Sequence, residues 1–125
     1  MVQENKKTVV LGASTNPSRF SYIAVQRLKQ KGHTFVPVGI KKGAVGGVEI
    51  LDIRQRPMVN DVHTITLYMN PHNQEAYYDY ILQLKPERII FNPGTENDVL
   101  AAQARAQGIE TVFDCTLILL GGNIY

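Results

Sequence analysis

Short apolar runs, separated by polar breaks rich in glycine and proline, divide this chain into strands and helices in turn. Thr8 to Leu11 (TVVL) is apolar or β-branched throughout, the pattern of a strand buried on both faces. Ile23, Val25 and Leu28 then recur at helical spacing until Lys31-Gly32, which predicts a helix that follows Tyr22 and stops at the glycine. The same reading predicts strands over Thr34 to Val38, Val48 to Leu51, Val62 to Tyr68, Arg88 to Phe91 and Glu110 to Phe113. Helices are predicted from Pro71 through Leu84 and from Glu96 to Gln107, with Lys85-Pro86 and Gly108 as their stops. An apolar tail, CTLILL, follows the last strand. No repeat, linker or low-complexity stretch interrupts the order.

Strands and helices in turn, joined by short connections, predict an α/β fold: a single Rossmann-like, doubly wound, mostly parallel sheet with helices on both faces. One such domain accounts for residues 1–125. Ligands of these sheets sit outside the carboxyl ends of the strands, where the strand order reverses. Four polar or glycine-rich loops fall on that edge, at 12–19, 39–43, 68–72 and 92–96. The first carries the most chemistry. Gly12 permits an unusual backbone angle or a close approach of ligand to main chain, so a side chain there is expected to crowd a ligand without unfolding the domain. Ser14, Thr15 and Asn16 offer oxygens where a helix needs its cap, Pro17 fits a first helical turn, and Arg19 adds a charge beside the helix's positive end. That is an anion site by construction, although a well-capped turn without a ligand has the same letters.

Composition narrows the ligand. Thirteen basic and eleven acidic residues give a net charge of +2, too near balance for a dedicated nucleic-acid binder. The single cysteine, Cys115, excludes an intramolecular disulfide and a multi-cysteine zinc site, and no segment approaches the ~20 apolar residues of a membrane helix, nor does the MVQENKK start resemble an export signal. A cytoplasmic protein without membrane partners is expected. A nicotinamide site would want G-x-G-x-x-G at the first turn and an acid ending the second strand. Here the turn reads Gly12-Ala13-Ser14-Thr15-Asn16-Pro17, and Val38-Gly39-Ile40 leads to Lys41 and Lys42. Paired cations there suit a phosphate on an adenosine ribose, as coenzyme A and NADP carry; a merely solubilising lysine pair is the alternative.

The run Gly12-Ala13-Ser14 through Asn16-Pro17-Ser18-Arg19-Phe20-Ser21-Tyr22 resembles the opening motif of the small, stand-alone CoA-binding domain proteins, relatives of the nucleotide-binding domain of succinyl-CoA synthetase. Val36-Pro37-Val38 with Lys41, Asn60-Asp61-Val62 with Asn70-Pro71, Gly94 with Glu96, and Asp114-Cys115 extend the resemblance along nearly the whole chain. It implies coenzyme A or an acyl-CoA as ligand. On that resemblance the pyrophosphate lies over Ser14, Asn16 and Arg19, and Lys41 faces the ribose phosphate. The pantetheine arm follows the 68–72 and 92–96 loops, and Gly12, Ala13, Ser21, Val38, Gly39, Asn70, Pro71, Gly94 and Glu96 complete the expected binding set. The chain departs from the family at Gly39-Ile40, where Asn-Pro is frequent, and in the loops at 68–72 and 92–97.

Catalytic groups are few. Cys115 opens an apolar run and reads as a small buried hydrophobe, with no histidine placed to activate it. His33, His63 and His72 fall on separate elements, which makes a shared metal site unexpected, and Tyr77, Tyr78 and Tyr80 read as core and surface of one helix. Glu96 could serve as a general base on a thioester, though a carboxylate at a helix start is usually just dipole-stabilised, and Asp114 carries the same ambiguity. The expectation is a CoA-binding module without chemistry of its own, acting as a homo-oligomer or as a detachable partner subunit. Its rivals are an NADP-like nucleotide-dependent oxidoreductase and an interaction protein that has lost its ligand.

Overall fold

The computed structural model describes residues 4–125, so Met1 to Gln3 of the expected domain lie outside the described residues. Six parallel strands form the main sheet: β1 (Thr8–Leu11), β2 (Phe35–Gly39), β5 (Leu51–Asp52), β6 (Thr64–Leu67), β7 (Arg88–Phe91) and β8 (Glu110–Phe113). Their spatial order is β5-β2-β1-β6-β7-β8. The chain builds outward from β1 to β2 and β5, then returns to the other flank of β1 with β6. The strand order reverses at the β1–β6 seam, which pairs Thr8 with Thr64 and Leu11 with Leu67.

Alternation of side chains along the strands separates two cores. Val9, Leu11, Ile65, Leu67, Ile89 and Phe91 face one layer, formed by α3 (Tyr78–Gln83) and α4 (Asp98–Ala106). Val10 and Ile90 face the other, where α1 (Phe20–Gln30) and α5 (Thr116–Gly121) cover the sheet. The central strands are buried throughout because both faces are covered, Thr8, Thr64, Thr66 and Arg88 included.

Four elements differ from the sequence expectation. The strand expected over Val48 to Leu51 is two pieces: β4 (Val48–Glu49) pairs antiparallel with β3 (Ala44–Val45) in a small hairpin, while β5 joins the main sheet. The helix expected from Pro71 to Leu84 is broken into α2 (Pro71–Gln74), a 3-10 turn over Glu75–Tyr77, and α3. The tail CTLILL is helix α5, and Cys115 stands half-buried at its N-cap position rather than within a core. Finally, α1 begins at Phe20, with Arg19 at the N-cap and no side-chain cap bond. Asn16 does not cap it: its Oδ1 accepts from the Ser18 N–H (3.0 Å) and hydroxyl (2.8 Å), and its carbonyl from the Arg19 N–H (3.0 Å). A local Asx turn has outcompeted the helix for those groups, and Pro17 lies in that turn.

Candidate functional site

Because all six strands run parallel, β1, β2, β6 and β7 end on one edge, and the loops leaving them enclose a cleft of about 830 Å3. Gly12, Ala13, Ser14, Arg19 and Ser21 line it from the first loop and the start of α1, with Gly39 and Lys41 beside them after β2. Asn70 and Gly94 line it from the far side. The other four expected residues stand next to the cleft without lining it. Asn16 is committed to its turn, Pro71 starts α2, and buried Val38 gives its carbonyl to the N–H groups of Gly12 (2.8 Å) and Ala13 (3.1 Å). The fourth, Glu96, turns back on its own loop and accepts from the Gly94 N–H (2.8 Å).

Two glycines are required by this packing. Gly12 has φ +98°, and a Cβ on it would lie 3.0 Å from the Tyr68 carbonyl carbon and 3.2 Å from the Met69 nitrogen. A Cβ at Gly39 would lie 2.7 Å from the Ala13 carbonyl oxygen. The departure at Gly39 therefore has a steric cause: the first loop sits directly on it.

The electrostatics of the cleft are set by unspent donors. Among the described residues, the backbone N–H groups of Ser14, Thr15, Phe20 and Ser21 find no acceptor, and the Arg19 and Lys41 side chains make no hydrogen bond or ion pair. No acidic residue stands in the first turn of α1. An anion at this end would be met by a helix terminus and two free cations. Burial pushes the Tyr68 phenol up to about 12, so it stays protonated and is no base near neutral pH.

Several lining residues escaped the sequence reading. Phe20 and Ile40, 70% and 63% exposed, each adjoin one of the two cations, a juxtaposition visible in the letters only once both loops are placed on one edge. Ile53 arrives through the two-residue strand β5. His72 and Asn73 line the cleft from α2, and Tyr77 from the 3-10 turn that follows.

An open parallel sheet, covered on both faces and cleft at its switch point, defines a Rossmann-like α/β domain of the ligand-binding type. The chain belongs to the CoA binding domain family, which matches residues 6–121. It is 49% identical to an uncharacterized protein of known crystal structure, with 98% of this chain and 100% of that one covered at a TM-score of 0.95. A hypothetical protein from Pyrococcus horikoshii OT3 aligns over 96% of this chain and 84% of its own at 22% identity and TM-score 0.80. A dinucleotide-forming acetyl-coenzyme A synthetase from Ca. Korarchaeum cryptofilum, solved with phosphate and ADP, shares the fold at 16% identity and TM-score 0.68, over 87% of this chain and 25% of that one. No curated protein matches the chain.

Proposed function

We propose that this protein binds coenzyme A or an acyl-CoA in the switch-point cleft, with the pyrophosphate against the first loop and the start of α1 and the ribose phosphate against Lys41. The observation that carries the reading is the set of unspent donors there: among the described residues, the backbone N–H groups of Ser14, Phe20 and Ser21 and the side chains of Arg19 and Lys41 belong to residues that line one end of one cleft. Family membership supplies the ligand class. The pantetheine arm runs toward the loops at 68–70 and 93–95, and the protein acts in the cytoplasm as a binding module.

Charge-assisted bonds of this kind contribute roughly 1.5–3 kcal/mol each. Titration calorimetry is therefore expected to show CoA binding about tenfold or more above dephospho-CoA, with the difference lost in Lys41→Ala. Equal affinity of the parent protein for the two ligands would remove Lys41 from the ribose phosphate. Tighter binding of NADP than of CoA would favour the oxidoreductase. Free-thiol release from acetyl-CoA is expected to stay at background in both the parent protein and Glu96→Gln, since the Glu96 carboxylate is occupied by the Gly94 N–H. Turnover lost in that variant would make the protein a thioesterase.

A further inference from the structure

Gln74 is the last residue of α2, and its side chain is fully buried at the junction of the two loops on the far side of the cleft. Its amide nitrogen donates to the Met69 carbonyl (2.8 Å), in the loop after β6, and to the Thr95 carbonyl (2.9 Å), in the loop after β7. Its amide oxygen accepts from Asn97 Nδ2 (3.0 Å). Asn97 in turn donates to the Tyr78 hydroxyl (2.8 Å) and caps α4 by accepting from the Leu100 N–H (3.1 Å). One planar amide thus spans two loops that are not neighbours in sequence. Both of its N–H bonds are spent on carbonyls that each belong to a cleft-lining residue.

Burying a primary amide is costly unless its donors and acceptor are paired, and here all three are. An apolar residue of the same length would fill the space without that requirement. The amide adds geometry: two donors a fixed distance apart hold Met69 and Thr95 at one separation. Among the described residues no side-chain hydrogen bond ties either loop to the cation-bearing loops after β1 and β2; the first loop meets the far side where Gly12 packs on the Tyr68–Met69 backbone. The cleft therefore has a phosphate end built on backbone donors and a far end whose width Gln74 sets.

We infer that Gln74 is a positioning residue which sets the width of the slot for the pantetheine arm and has no part in holding the adenine nucleotide. This rests on the CoA reading of the cleft. Gln74→Met keeps the length and removes every polar contact. It is expected to weaken CoA about tenfold while leaving adenosine 3′,5′-bisphosphate, which lacks the arm, within about twofold. A general loss of structure would weaken both ligands together, and that parallel loss, or an unchanged CoA affinity, would overturn the inference.

Asn97→Asp is the companion: aspartate still caps α4, but where Asn97 donated it sets a second acceptor against the Gln74 amide oxygen. It should show the same selective loss. Hydrogen exchange of the ligand-free protein gives a reading that needs no ligand. In Gln74→Met the segments at 68–70 and 93–95 should exchange faster together, with 14–19 unchanged. Uncoupled or unaltered exchange would refute the tie between the loops. Failure of the parent protein to bind CoA would instead overturn the reading of the cleft and leave the exchange result to decide the coupling.

Discussion

Two glycines and two cations hold most of the residue-scale chemistry. Because a Cβ at Gly12 would press on the Tyr68–Met69 backbone, in a conformation that L side chains rarely adopt, Gly12→Ala is expected to cost roughly 2–4 kcal/mol of unfolding free energy. Urea denaturation measures it directly; an unaltered midpoint would mean that the loop yields freely. The sequence reading gave that glycine an unusual backbone angle or a close ligand approach; the structure has the angle, φ +98°, and adds the neighbouring backbone. Gly39→Asn, which restores the commoner family residue, should likewise lower stability rather than add affinity, through the 2.7 Å approach to Ala13. Arg19 was legible as a cation beside a helix start and Lys41 as one after the second strand. Asn16 was misread because an Asx turn and a helix cap use the same side chain and the same local spacing.

Among the elements, those buried on both faces were the easiest to read. TVVL and RIIF declare themselves because no solvent side dilutes the apolar run, and both became strands within the expected bounds. Elements of two residues, such as β5, carry no period at all. The break after α2 was illegible for a different reason: Gln74, at the end of α2, looks like a surface residue, and its burial and its bonds to Met69, Thr95 and Asn97 appear only in the folded chain. Tyr80 ties the next helix to the loop before β6 by donating its hydroxyl to the Pro57 carbonyl (2.7 Å), and burial pushes its pKa up to about 12. Tyr80→Phe should cost about 1 kcal/mol in chemical denaturation while leaving ligand affinity unchanged. A change in affinity would show that this helix communicates with the cleft.

Across the whole molecule, the edge opposite the cleft contains the pH response. His33 is buried, and its pKa is lowered from 6.5 first by that burial and then by Lys6, Arg88 and His63. His63 is lowered as well, by burial foremost, with Glu87 opposing. A folded-state pKa below the unfolded value means that the native state favours neutral imidazole. The contribution is complete above the unfolded value and is lost as pH falls through the folded one. Melting temperature should therefore fall between roughly pH 7.5 and pH 5, with proton uptake on unfolding. A flat profile would show that neither imidazole titrates differently in the folded chain. None of this was visible in the letters, since it depends on which strand starts lie side by side.

The order β5-β2-β1-β6-β7-β8 also makes the sheet severable. Every main-sheet strand before residue 56 lies on one side of the β1–β6 seam and every strand after residue 62 on the other, joined covalently only by the largely exposed stretch between them. Across that seam the halves share one ladder, the packing of α1 on α5, both hydrophobic cores and the hydrogen bonds of Tyr125 to Lys6 and Thr8. The cleft straddles the same line, with Gly12 to Ser14 on one fragment and Asn70 and Gly94 on the other. Two separately expressed pieces cut within 56–62 would therefore make a complementation pair for which a cleft-spanning ligand acts as glue. Reassembly that strengthens with CoA concentration would turn the two fragments into a reporter of that ligand.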